Sequence, residues 1–298
     1  MSDTTKSETN SASTAFSIAP GTHIGPVALT VSDIARSQAF YTEVVGLRVI
    51  RHDRDTVALG ADDRTPLLVL TGETTARPKP RHSTGLYHFA LVVPTQRDLA
   101  RSLRHLLEAG YPPTGSSDHV VSEALYLNDP DGNGIEIYRD RPRSSWTWDG
   151  PTVQMALDPL DLHALLAEAD DAPWTGIAPR TTVGHIHLHV ANLSAARAFY
   201  NGLLGFDITN EAIPGAFFVS AGGYHHHIGL NIWAGQGAPP PPSDTVGLRR
   251  FGVVLPDTAH RDHLTARLTA AGVAVEPTPD GPLVRDPSGN ALLLTVPM

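Results

Sequence analysis

The chain of 298 residues contains no cysteine, which excludes disulfides and thiolate ligands and leaves nitrogen and oxygen to hold any metal. It has no apolar run approaching the ~18 residues of a membrane-spanning helix, so a membrane role is not expected. The opening stretch MSDTTKSETNSASTAFS lacks the basic start and apolar centre of a secretory signal, and a cytoplasmic location is the expectation. No Lys/Arg run occurs and the formal charge is −9, which argues against broad nucleic-acid binding, because phosphate contacts need a concentrated basic surface. What remains is an ordinary globular composition, 41% hydrophobic and 18% charged, long enough for about two domains.

Histidine is the exception, with 15 residues that concentrate in GHIHLHV at 184–190 and GGYHHHIGLNIW at 222–233. Imidazole is the commonest neutral metal ligand and the usual acid/base near pH 7. The chain also repeats itself: residues 24–50 match 183–209 at a constant offset of 159, with Phe40-Tyr41 facing Phe199-Tyr200 and Gly46 facing Gly205. Within the repeat Pro26 stands opposite His185, so a candidate ligand is present in one copy and absent from the other.

Strand alternation over 26–31, a helix capped by Ser32 or Asp33 and stopped by Gly46, and apolar strands at 56–59 and 66–70 outline a βαβββ module. A second module opens at Tyr87-His88-Phe89, runs through a helix at about 96–109 ended by Gly110, and closes with strands at 122–127 and 134–138. A third spans 183–233, and a fourth begins near Arg250 and repeats Asp129-Pro130-Asp131-Gly132-Asn133 as Asp286-Pro287-Ser288-Gly289-Asn290. The expected class is α+β: four βαβββ modules in two domains with cupped mixed sheets. The expected division is a disordered tail at 1–20, a first two-module domain at 21–145, a connector with a short helix near 158–169 at 146–180, and a second two-module domain at 181–298.

Taken together, LYHFALVVP, DHVVSEALYLNDPDGNGIEIY, GHIHLHV and GGYHHHIGLNIW resemble the vicinal oxygen chelate superfamily over about residues 20–298. That superfamily holds glyoxalase I, bleomycin-resistance proteins and extradiol ring-cleavage dioxygenases, and the chain looks most like the catechol 2,3-dioxygenase type. The resemblance implies Fe(II) held by His88, His185 and Glu136, with Mn(II) compatible with the same ligands. It places the acid/base histidine at His226 and an active-site tyrosine at Tyr126, and matches His119 more loosely to a further pocket histidine. The implied partners are a catechol-type substrate and O₂, and a homo-oligomer is compatible with the sequence. In the familiar arrangement the last two modules supply all three ligands. Here the fourth module carries Arg250 in place of His88 and Leu293 in place of Glu136, so the second and third modules must meet, within one chain or between two.

The residues alone leave alternatives. His185, His187 and His189 share one strand face, so spacing does not choose among them, and Glu136 in Ile-Glu-Ile could face solvent by alternation. Tyr126 could be an amphipathic sheet residue, and Trp233, Phe217 and Phe218 read as core. A glyoxalase-like isomerase or lyase, or a metal-free binding protein, is compatible with the same fold.

Overall fold

The structure, a computed structural model, describes residues 16–297. The first module comprises β1 (His23–Val31), α1 (Ile34–Ala39), β2 (Arg48–Asp53), β3 (Thr56–Gly60) and β4 (Leu68–Gly72). The second comprises β5 (Gly85–Val92), α2 (Gln96–Glu108), β6 (Gly115–Asp118), β7 (Ser122–Asn128) and β8 (Gly134–Asp140). A connector follows with the small hairpin β9 (Trp148–Asp149) and β10 (Thr152–Val153) and helix α3 (Leu162–Ala167), shorter than the sequence suggests. The third module is β11 (Thr182–His189), α4 (Leu193–Arg197), β12 (Asp207–Asn210), β13 (Ala216–Ser220) and β14 (Ile228–Asn231). The fourth is β15 (Gly247–Val254), α5 (Thr258–Ala270), β16 (Val275–Thr278), β17 (Gly281–Arg285) and β18 (Ala291–Thr295). No described helix is long and apolar enough to cross a membrane.

The helices start where the sequence offers a cap. Asp33, Thr95, Asn192 and Asp257 each accept a backbone N–H three residues on, so Asp33 and not Ser32 caps α1. Ser32 instead donates to Asp131. Gly46, Gly110, Gly205 and Gly272 end the helical stretches with positive φ, a conformation that costs glycine least.

The strands form two eight-stranded mixed sheets, and neither pairs the first module with the second or the third with the fourth. One sheet runs β16-β17-β18-β15-β1-β4-β3-β2 and unites the fourth module with the first; the other runs β12-β13-β14-β11-β5-β8-β7-β6 and unites the third with the second. The antiparallel seams are β1 with β15 and β5 with β11, the latter setting His187 beside His88. A division at 21–145 and 181–298 therefore follows the chain but cuts across both sheets. The tail expected at 1–20 also differs: Ile18 is buried in the core and donates its N–H to the Gly205 carbonyl, while residues 1–15 lie outside the described chain.

Two repeated motifs tie the sheets together. The helical stretch after α1 ends in a π-helical turn, Phe40–Val44, that brings the Tyr41 hydroxyl to Asp129 of the second module at 2.9 Å. Its counterpart, Ala198–Leu203 after α4, brings Tyr200 to Asp286 of the fourth at 3.1 Å. Asp129 and Asp286 also accept the backbone and side-chain N–H groups of Asn133 and Asn290, which closes each Asp-Pro-x-Gly-Asn turn. One continuous apolar core takes in Leu29, Leu70, Phe89, Ile186, Phe251 and Leu292 from all four modules.

Candidate metal centre

Strand alternation in the sheet of the second and third modules decides which side chains reach its cup. On β5, Phe89 and Leu91 enter the apolar core while His88 and Ala90 take the opposite face. On β8, Ile135 and Ile137 enter the core and Glu136 and Tyr138 oppose them; on β11, Ile186 and Leu188 do so and His185 and His187 oppose them. Tyr126 lies beside Glu136 on β7, opposite the core residues Leu125 and Leu127. Two small residues of the cup face are sterically required. A Cβ on Gly184 would collide with the Tyr138 hydroxyl, and one on Gly229 would approach the His187 ring to 2.8 Å.

His88 Nε2 lies 3.1 Å and His185 Nε2 3.2 Å from Glu136 Oε2. The three donor atoms fall within 4.8 Å of one another and form the only such group of three among the described residues. Donors bound cis at about 2.1 Å around an octahedral ion are about 3.0 Å apart, so two imidazoles and a carboxylate are spaced to occupy one face of such an ion. All three residues are buried, and Glu136 at 2% exposure cannot be a solvent-facing strand residue. Burial would raise the Glu136 carboxyl, but the adjoining His185 and His88 imidazoles hold it well below the usual carboxylate range. Burial lowers His185, partly opposed by Glu136. Glu136 is thereby kept a carboxylate and His185 favoured as a neutral imidazole, the states in which such side chains bind a metal.

A cavity of about 220 Å³ opens over the triad, with Tyr126, His119, His187 and His226 among its polar lining. His187 is brought near but is committed elsewhere: its Nε2 accepts from the Asn231 side-chain amide at 2.9 Å. His119 Nδ1 lies 2.8 Å from the Ala156 carbonyl and therefore donates; its Nε2 then accepts from the Tyr126 hydroxyl at 2.7 Å. Burial and Glu136 push the Tyr126 phenol well above its ordinary value, so it stays protonated. His226 packs its ring 4.2 Å from that of His185, centroid to centroid, and burial followed by the neighbouring imidazoles lowers it well below an ordinary histidine. His227 lies on another path, accepting the Ala221 N–H at its Nδ1.

The sequence reading missed much of the cavity wall. Met155 and Leu157 come from the connector, Ile213 from the loop before β13, and Tyr87 precedes His88. Trp233 is not core: it is 45% exposed at the cavity mouth, where its indole N–H reaches the Pro214 carbonyl. Phe218 is buried as expected yet also lines the cavity, whereas Phe217 belongs to the core alone. In the other sheet Leu293 packs with Leu283 and Ala291, and Arg250 pairs with Asp280 at the surface. That sheet repeats the strand order but, among the described residues, carries no such group of three donors.

The sequence profile of the Glyoxalase/Bleomycin resistance protein/Dioxygenase superfamily matches residues 23–137 and 182–294, and the chain belongs to that superfamily. Within it, the chain is 46% identical over 283 residues to a catechol-2,3-dioxygenase of Bacillus subtilis (strain 168), covering 94% of this chain and 99% of that one. It is 28% identical over 115 residues to biphenyl-2,3-diol 1,2-dioxygenase 2 of Rhodococcus globerulus, 38% of this chain and 60% of that one. The fold is shared with glyoxalase I from Zea mays at a TM-score of 0.55 and 16% identity, with 92% of each chain covered.

Proposed function

We propose that the chain is an extradiol ring-cleavage dioxygenase that opens a catechol with O₂ at a non-haem Fe(II) centre and yields a 2-hydroxymuconate-semialdehyde-type product. The observation that carries this reading is the buried triangle of His88, His185 and Glu136 with its remaining side open to a cavity lined by His226 and Tyr126. Similarity to the Bacillus subtilis catechol-2,3-dioxygenase along nearly the whole of both chains supports a catechol as substrate. Bound by the triad, iron would bring substrate and dioxygen together and pass electrons between them. Mn(II) fits the same donors.

The protein's own groups then handle position and protons. His226, neutral at pH 7, takes a proton from a substrate hydroxyl and later returns it, a role suited to an unprotonated imidazole beside the reacting oxygen. Tyr126, with its own proton engaged by His119, offers its oxygen as acceptor to a substrate hydroxyl. The apolar mouth formed by Tyr87, Leu157 and Trp233 holds the ring and limits water at the site.

A glyoxalase-like reading asks for a second carboxylate from the third module's last strand. Glu136 stands beside Ala90, two residues past His88, and the related place beside His187, two residues past His185, is Gly229. The site thus offers three ligands and an open face. Anaerobic reconstitution with Fe(II), followed by a catechol panel and O₂, tests the proposal. Yellow ring-opened products are expected, and His226→Phe should retain iron while slowing turnover by ~10²–10⁴. Iron binding with no oxygen uptake on any catechol would refute it.

A further inference from the structure

Behind His226 lies a chain of hydrogen bonds that the cavity residues do not include. His226 Nδ1 is 2.8 Å from His225 Nδ1, and His225 Nε2 is 2.8 Å from Asp140 Oδ1. The second Asp140 oxygen accepts from the Tyr224 hydroxyl at 2.9 Å, and Tyr224 in turn receives the Tyr138 hydroxyl at 2.6 Å. His225 is wholly buried, with the rings of Trp146 at 5.1 Å and Tyr224 at 4.1 Å enclosing it.

The direction of each bond follows from what each group can do. The Asp140 carboxylate only accepts, so His225 donates from Nε2, and in a singly protonated ring its Nδ1 is then a lone pair. His226 Nδ1 must then donate, which leaves the His226 lone pair on Nε2, the nitrogen without a partner among the described residues in a side chain that lines the cavity. We propose that Asp140 and His225 are positioning residues that set the tautomer of His226, keeping its Nε2 as the base that faces the substrate. Neither exchanges its own proton during turnover. When His226 is protonated, its Nδ1–H bond to His225, backed by Asp140, holds the imidazolium in a site where water is scarce, as buried hydrogen-bond chains do most strongly away from solvent. A neighbouring side chain commonly sets which imidazole nitrogen is protonated, and its loss typically costs 10–100-fold in activity.

This inference rests on the dioxygenase reading for its catalytic meaning, but its geometry can be tested without turnover. In the full-length chain carrying ¹⁵N-histidine, metal-free and again with Zn(II) as a diamagnetic occupant, NMR reads which ring nitrogen of each histidine is protonated. Signals of His226 are identified by their loss in His226→Phe. His226 is expected protonated at Nδ1 and bare at Nε2, and His225 the reverse. His225→Phe should move His226 toward the Nε2-protonated tautomer and lower kcat about 10–100-fold with KM and metal content little changed. His225→Asn, which keeps an acceptor near the lost Nδ1, should restore both tautomer and turnover. A wild-type His226 protonated at Nε2, as an imidazolium His225 would impose, overturns the proposal, as does an unchanged His226 tautomer in His225→Phe. Correct tautomers in a chain that cleaves no catechol would refute the dioxygenase reading and leave the tautomer assignment standing.

Discussion

The Tyr138 hydroxyl fills the space that a Cβ on Gly184 would take, directly before His185 of the histidine–glutamate triad. The Gly-His pair that opens the third module is therefore a packing requirement of Tyr138, which also closes the hydrogen-bond chain behind His226. Gly184→Ala should destabilise the protein by about 1–3 kcal/mol, the usual cost of forcing a methyl into a filled core. It should also weaken metal binding by shifting His185. Gly202→Ala, where a Cβ would meet nothing within 4 Å, is the control and should melt within a degree or two of the wild type. Calorimetry of the two variants decides the matter, and equal melting temperatures would contradict the packing argument.

Acid should unfold the metal-free protein early. Burial lowers His226 and His187 well below an ordinary histidine, and lowers His227 to about 3 and His189 to about 4. These groups stay neutral in the folded state but take up protons in the unfolded chain below about pH 6.5. The unfolded state binds more protons there, so stability is complete above that pH and falls as pH drops toward the folded values. Each such histidine contributes a slope of up to about 1.4 kcal/mol per pH unit. Urea titrations from pH 8 to pH 4 should show the midpoint constant at first and then falling steeply below about pH 6.5; a flat profile to pH 5 would contradict the buried neutral histidines.

Among the described residues no lysine or arginine lines the cavity, while Tyr87, Met155, Leu157, Ile213 and Trp233 give its mouth an apolar character. A ring carboxylate would lose its water there without gaining a cationic partner, at a cost of several kcal/mol. Catechol and alkylcatechols should be preferred over carboxylated catechols by roughly 10² or more in kcat/KM, at 1.4 kcal/mol per tenfold. Steady-state oxygen uptake on methylcatechol and protocatechuate checks this, and comparable values would show that a cation reaches the site.

The modules, their capped helices and the cup-facing residues were legible because each rests on local pattern: period-two strands, Asx and Thr caps, glycine stops. Glu136 and His88 were legible because the fourth module lacks them, with Leu293 and Arg250 in their places. The pairing of modules was readable only from that chemistry, since contiguity along the chain suggests the first with the second. The link between Asp140 and His225 was not legible because 85 residues separate them and no period connects them. Met155 and Leu157 sit in an irregular stretch of the connector between β10 and α3, and Trp233 was misread because a tryptophan at the end of an apolar strand looks like core.

Each of His88→Ala, His185→Ala and Glu136→Ala should remove most of the bound iron, because each deletes one of three donors. Arg250→His should add none, since Pro26 and Leu293 still leave that cup without partners. Metal analysis of purified, reconstituted variants provides the comparison, and full iron in any of the first three would remove that residue from the centre.

The central claim is that the second and third modules of a single chain complete one metal site. Anomalous X-ray scattering at the iron edge, from crystals of the Fe(II)-loaded protein, tests it most directly. One peak per chain is expected, bonded at about 2.0–2.3 Å to His88 Nε2, His185 Nε2 and a Glu136 oxygen of the same chain. A peak held by His187 or His189, a second peak in the sheet of the first and fourth modules, or ligands drawn from two chains would contradict it.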